Sequence, residues 1–168
     1  MFRKTEDFIY TAKMEFGSTL KVFDSLKNEM LHKEVNGYSR TPAFLAWHII
    51  KTVTDMLKMA GLNHTYQPAD EMPAGLTVAD LKYEFKKVSD SALQEVEAYW
   101  KDENLTDETP MYGGEMWRKG MTLMIVLTHQ IHHRGQLEVL MRINLCTVPG
   151  IYGPSREEWG TFGMPELP

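Results

Sequence analysis

Residues 115–145 read EMWRKGMTLMIVLTHQIHHRGQLEVLMRINL, the longest apolar-rich run in the chain. No proline interrupts it, and Thr122, Ile125, Val126 and Leu140 return to one side at helical steps. At 1.5 Å rise per residue this predicts a helix of roughly 45 Å. Three further segments carry the same period. Residues 5–33 place Phe16, Leu20, Phe23, Leu26 and Met30 along one stripe, and Asn36-Gly37 stops that helix. Thr41-Pro42 opens the second, with Thr as N-cap and Pro at the first helical position, where a missing N–H costs nothing. It runs through Trp47 and His48 to Ala60, with Gly61 as its C-terminal cap. A third helix restarts near Thr77, buries Leu81, Phe85, Val88, Ala92, Val96 and Tyr99, and ends near Lys101.

Between the third and fourth helices, Thr106 to Gly114 forms a polar connection containing proline and glycine. From Val148-Pro149-Gly150 onward, breakers are dense enough to predict an irregular tail lying on the body. No alternating strand pattern stands out. The fold expected is therefore all-α: a four-helix bundle with an irregular C-terminal tail, residues 1–168 forming a single domain. The two later connections exceed what tight antiparallel turns require. Simple up-down-up-down order and a crossed connectivity both remain open.

Composition narrows the function. The 168 residues include 18 Lys+Arg and 23 Asp+Glu, a net charge of −5, with no basic block to meet a phosphate backbone. A nucleic-acid partner is not expected. No apolar run approaches the roughly 18–20 residues of a membrane span, and the start, Met1-Phe2-Arg3-Lys4, lacks the apolar core of a signal peptide. With hydrophobic residues at 43%, the chain can bury a real core, and a cytoplasmic protein is expected. The single cysteine, Cys146, excludes an internal disulfide and a zinc cage built from several cysteines.

Six histidines remain: His32, His48, His64, His129, His132 and His133. At about 100° per residue, His133 stands ~40° from His129, and Thr122, Ile125, Val126, Gln136 and Leu140 share that sector. We take this sector as the inward face, so an i, i+4 pair points into the bundle with both rings on one side. Such a pair can reach one metal at roughly 2.0–2.1 Å. His132 lies ~60° the other way, and i, i+3 spacing lets it compete for the same role. His133 is preferred because the 129/133 bisector follows the Thr122–Leu140 line. His48, set between Trp47 and Ile49, supplies a third inward imidazole from the second helix. Three protein ligands with an open position mark catalytic rather than structural metal sites.

Other residues have lesser roles. Gln136 falls on the histidine face and can orient a ligand or tie helices together. Arg134 points elsewhere, toward a neighbouring segment or a carboxylate. Trp47 and Trp117 can wall a pocket, and Asp55 can project to the side of His48 as an outer acceptor. No carboxylate pair stands out for acid–base work. His32 and His64 are expected in solvent, and Cys146 as a small buried apolar residue.

The chain resembles the DinB/YfiT-type family of metal-dependent proteins. The resemblance rests on Phe44-Leu45-Ala46-Trp47-His48, on Thr128-His129-Gln130-Ile131-His132-His133-Arg134-Gly135-Gln136, and on Val148-Pro149-Gly150-Ile151-Tyr152-Gly153-Pro154-Ser155. It implies a bundle of unusual connectivity, frequent homodimers, and a divalent metal, often zinc or nickel, on three histidines. Residue by residue, those are His48, His129 and His133. Some members resemble enzymes that join a low-molecular-weight thiol to an electrophile. An S-transferase of detoxification type is therefore the leading expectation, with thiol and electrophile as partners. A metal-dependent hydrolase and a non-catalytic, damage-inducible metal-binding protein are the alternatives.

Overall fold

A computed structural model describes residues 1–35 and 37–165. Four long helices make up its body: α1 (Thr5–Asp24), α2 (Pro42–Met59), α3 (Val78–Tyr99) and α4 (Lys119–Ile143). Helix α1 packs against α3 and α4, and α2 packs against the same two. Around the bundle the order is α1-α3-α2-α4, so helices joined consecutively at α1–α2 and α3–α4 stand diagonally. Of the two connectivities left open, the crossed one is realised. Its consequence is functional: α2 and α4, far apart in sequence, lie side by side along their apolar faces.

The ends obey local chemistry. Thr41 Oγ1 accepts from the Phe44 N–H at 3.2 Å, and Pro42 fills the first turn of α2. Gly61 takes φ +101°, so its N–H reaches Lys58 O while the Leu62 N–H returns to Leu57 O. At α3, Thr77 and Asp80 exchange side-chain and backbone bonds as a capping box.

Three boundaries differ from expectation. Helix α1 ends at Asp24 rather than near residue 33. The chain turns there, and Asn28 spends its side-chain Oδ1 on the Val78 N–H of α3. Leu26 and Met30 nevertheless stay buried, because a short 3₁₀ turn at Asn28–Met30 keeps the stripe inward. The stop expected at Asn36-Gly37 falls partly outside the described residues, since Asn36 is not among them; Tyr38 bonds back to Val35 across it. Helix α4 begins at Lys119, not Glu115. Met116–Arg118 (β2) instead pairs antiparallel with Glu108–Pro110 (β1). Gly113 and Gly114 both hold positive φ and close that hairpin, a turn in which side-chain residues would be strained. Along α3, Tyr99 points outward at 59% exposure while Trp100, just past the helix, is the residue that enters the core.

The tail lies on the bundle, as expected, and carries one 3₁₀ helix of its own, Arg156–Phe162. The Lys21 ammonium donates to Gly150 O, and Glu158 Oε2 accepts from the Gly150 and Ser155 N–H groups. Among the described residues no helix is long and apolar enough to cross a membrane.

Candidate metal centre

Side-by-side packing of α2 and α4 brings His48 to His129 and His133. The ring centroids stand 4.4 Å apart for His129–His133, 4.5 Å for His48–His133 and 5.2 Å for His48–His129. Each residue offers one ring nitrogen, and these three atoms lie within 4.8 Å of one another. His133 Nε2 and His129 Nε2 are 3.1 Å apart. Two nitrogens each about 2.05 Å from one ion stand about 2.9 Å apart across a right angle and about 3.3 Å across a tetrahedral one. The observed spacing falls between these limits.

A polar chain fixes the tautomer of His133. Its Nδ1–H donates to Gln136 Oε1 at 2.8 Å, and the Gln136 amide donates onward to His132 Nε2 at 3.1 Å. His133 Nε2 therefore keeps its lone pair and faces the cluster. His132 lies outside the group that converges and is the exposed end of this chain. Phe44 stacks flat on the outer side of His48, centroid to centroid 6.1 Å.

Electrostatics keep the cluster neutral and nucleophilic toward cations. Burial, with lesser contributions from the neighbouring His133, His48 and His132, pushes His129 down to about 4. Burial also lowers His48, helped by His133 and Arg40 and opposed by Asp55. For His133 burial outweighs the raising effect of the Gln136 bond. His129 Nδ1 is buried without a hydrogen-bond partner. Three uncharged nitrogen donors, converging with no carboxylate or thiolate among them, could hold a divalent metal ion. Among the described residues this is the group of three such side chains placed to hold one.

Residues 1–166 match the sequence model of the DinB family. The chain belongs to the DinB family. An uncharacterized protein of Bacillus subtilis (strain 168), YrdA, is 33% identical over 165 residues, covering 98% of this chain and 97% of that protein. A DinB-like protein from Bacillus cereus ATCC 10987 superposes with a TM-score of 0.82 at 30% identity, over 90% of this chain and 100% of that one. The B. subtilis DinB-like protein YjoA superposes with a TM-score of 0.68 at 16% identity, covering 89% and 99%. That last likeness shows the fold.

Within this DinB-family bundle, the buried arc of α4 is wider than expected. The histidine sector is inward, with Thr122, Val126, His133 and Leu140 buried, but burial extends on through Leu123, Leu127, Gln130, Arg134, Leu137 and Met141, about 100° further round. His133 and His129 sit at its margin, His133 buried and His129 half-buried. Arg134, expected to point away, is only 2% exposed. It does reach a carboxylate: its guanidinium donates to Glu15 Oε2 (2.8 Å), Glu15 O (3.1 Å), Thr19 Oγ1 (3.2 Å) and the Tyr152 hydroxyl (2.7 Å). Sequence reasoning misses Glu15, Thr19 and Gln130, because a polar residue on a buried line is invisible to hydrophobic periodicity.

His32 and His64 are exposed as expected, His64 stacked on Tyr99. Cys146 is buried, its thiol against Met30 Sδ and far along the chain from the cluster. Trp47 borders the cavity beside His48, whereas Trp117 lies on β2 against Tyr112. Asp55 does share the side of His48, bordering that same cavity.

Proposed function

We propose that this DinB-family chain is a divalent-metal-dependent S-transferase that joins a low-molecular-weight thiol to an electrophile, in a detoxifying or stress role. One observation carries the reading: three neutral imidazoles converge, one of them, His48, bordering an open cavity, and Cys146, the one internal thiol, is buried elsewhere. His48, His129 and His133 would hold the ion, zinc or nickel by donor chemistry. What such an ion supplies is a lowered pKa for a coordinated thiol, so that thiolate is available near neutral pH. The chain's own residues do the rest. Gln136 orients His133, Phe44 fixes the His48 ring by stacking, and Trp47 and Phe44 shield the site from bulk water on the α2 side.

A hydrolase is the second reading, in which water rather than a thiol would take the open position on the ion; Asp55 borders the same cavity, about two helical turns along α2 from His48. The proposal also includes a cytoplasmic homodimer, which the family resemblance implies. The apolar strip of Tyr38, Val139 and Ile143 on the outer side of α4 is the face a second copy would cover, and sedimentation at micromolar protein tests it.

The test is an anaerobic conjugation assay with zinc- or nickel-loaded protein, a thiol panel and a reactive electrophile. Conjugate formation that disappears in His48→Ala and His129→Ala, with metal content lost by elemental analysis, supports the transferase. Inactivity with every thiol alongside ester or amide hydrolysis replaces it with the second reading. A metal-free His129→Ala that unfolds would make the ion structural.

A further inference from the structure

The cavity that begins at His48 has a volume of about 520 Å³, within the range of small-molecule sites. Of the three histidines, His48 is the one that borders it. Helix α2 forms its floor from His48 through Lys51 and Thr52 to Asp55. Seven residues at 1.5 Å each make this about 10 Å of floor. Aromatic rings wall it: Phe44 and Trp47 from α2, and Tyr112 from the loop of the β1–β2 hairpin. The stretch before α3 closes the far side with Asp70, Glu71 and Met72.

Charge is distributed unevenly along this floor. Asp55, Asp70 and Glu71 all border the cavity, and Lys51 is the ammonium among them, 2.9 Å from Asp70 and 3.6 Å from Asp55. Three carboxylates against one ammonium leave the lining negative. Two other cations stand nearby without lining the cavity. Lys58 acts on Asp70 from beyond its border, and Arg40 lies on the outer side of Phe44, 5.5 Å from its ring centroid. Aromatic faces next to carboxylates are the chemistry that recognises an organic cation.

We propose that this cavity selects a small molecule with an apolar or aryl body and a protonated amine, the amine seated at Asp55 and Glu71 and the body against Phe44, Trp47 and Tyr112. Anionic substrates are disfavoured. The assignment rests on the transferase reading only for the chemistry after binding, in which this molecule is the electrophile.

The experiment is calorimetric titration of the full chain with three probes of one shape: 4-phenylbutylamine, 4-phenylbutan-1-ol and 4-phenylbutanoate. The amine is expected to bind about fivefold tighter than the alcohol, and the carboxylate weakest. Asp55→Asn combined with Glu71→Gln should abolish the amine's advantage and leave alcohol binding unchanged. The same ranking is expected in metal-free His129→Ala, which separates this outcome from the fate of the transferase assay. Equal affinities, preference for the carboxylate, an advantage that survives the double substitution, or no saturable binding up to about 10 mM would each overturn the assignment.

Discussion

Replacing Arg134 by methionine tests the buried polar knot that ties the tail and α1 to the helix bearing the histidines. The Arg134 and Glu15 side chains are 2% and 8% exposed. The guanidinium makes four donations, and Tyr152 hydroxyl lies 2.9 Å and 2.8 Å from the two carboxylate oxygens. Methionine fills similar volume but leaves Glu15 as a buried carboxylate with the tyrosine alone as partner. Breaking one side of a buried pair costs about 3–5 kcal/mol, far more than the pair's net worth. In a chain of this size each kcal/mol moves the midpoint by about 2–4 °C, so Arg134→Met should melt roughly 10 °C lower. Glu15→Leu alone strands the guanidinium and should cost a similar amount. The double variant, which removes both charges, should be less destabilised than the sum of the two by at least about 2 kcal/mol. Urea denaturation monitored by circular dichroism measures all four species. A loss below about 1 kcal/mol for Arg134→Met, or additive single effects, would show that the knot is not a coupled unit.

Three other residues carry testable consequences. Gln136→Leu removes the acceptor that fixes His133 and should weaken zinc affinity about 10–100-fold in a chelator competition while leaving the far-UV spectrum unchanged. Leu145 closes α4 in a left-handed conformation at φ 58° and is 90% exposed, so Leu145→Gly should gain about 1 kcal/mol, and a loss would show the strain is absent. Glu138 carries a buried, unpartnered Oε1, and burial raises its pKa against the opposing pull of Arg134 and Arg142. Its folded form therefore takes a proton more readily than its unfolded form, so its contribution to stability is present at acid pH and is lost as pH rises through its raised pKa. Glu138→Gln should accordingly raise the urea midpoint at pH 7 and lose that gain below about pH 4.5, and an unchanged gain at both values would refute the sign.

What the residues disclosed in advance, and what they hid, divides along one physical line. Apolar periodicity found all four helices, because each buries a stripe whose spacing is dictated by 3.6 residues per turn. It overran α1, since Leu26 and Met30 are buried by a 3₁₀ turn that repeats nearly the same spacing. It overran α4 at its start, where a three-residue strand is too short to show alternation and the Gly113-Gly114 turn was the better signal. The histidine trio was legible because i, i+4 spacing is local and His48 lies in a strongly apolar helix. The width of the buried face was not: α4 packs against two helices at once, so burial extends past the histidine sector to residues that include a glutamine and an arginine. Those polar residues are buried only because Glu15 and Thr19, more than a hundred positions earlier, meet them. The cavity was hidden for the same reason. Asp55 was visible as a neighbour of His48 along α2, but its setting depends on Tyr112 and Glu71, brought there by a hairpin and a long connection. Ligand nitrogens on adjacent helical turns are written in the local sequence. The charge and shape that decide what those nitrogens act on arise from the crossed connectivity, which sets α2 beside α4, and from the two long connections, whose residues line the same cavity.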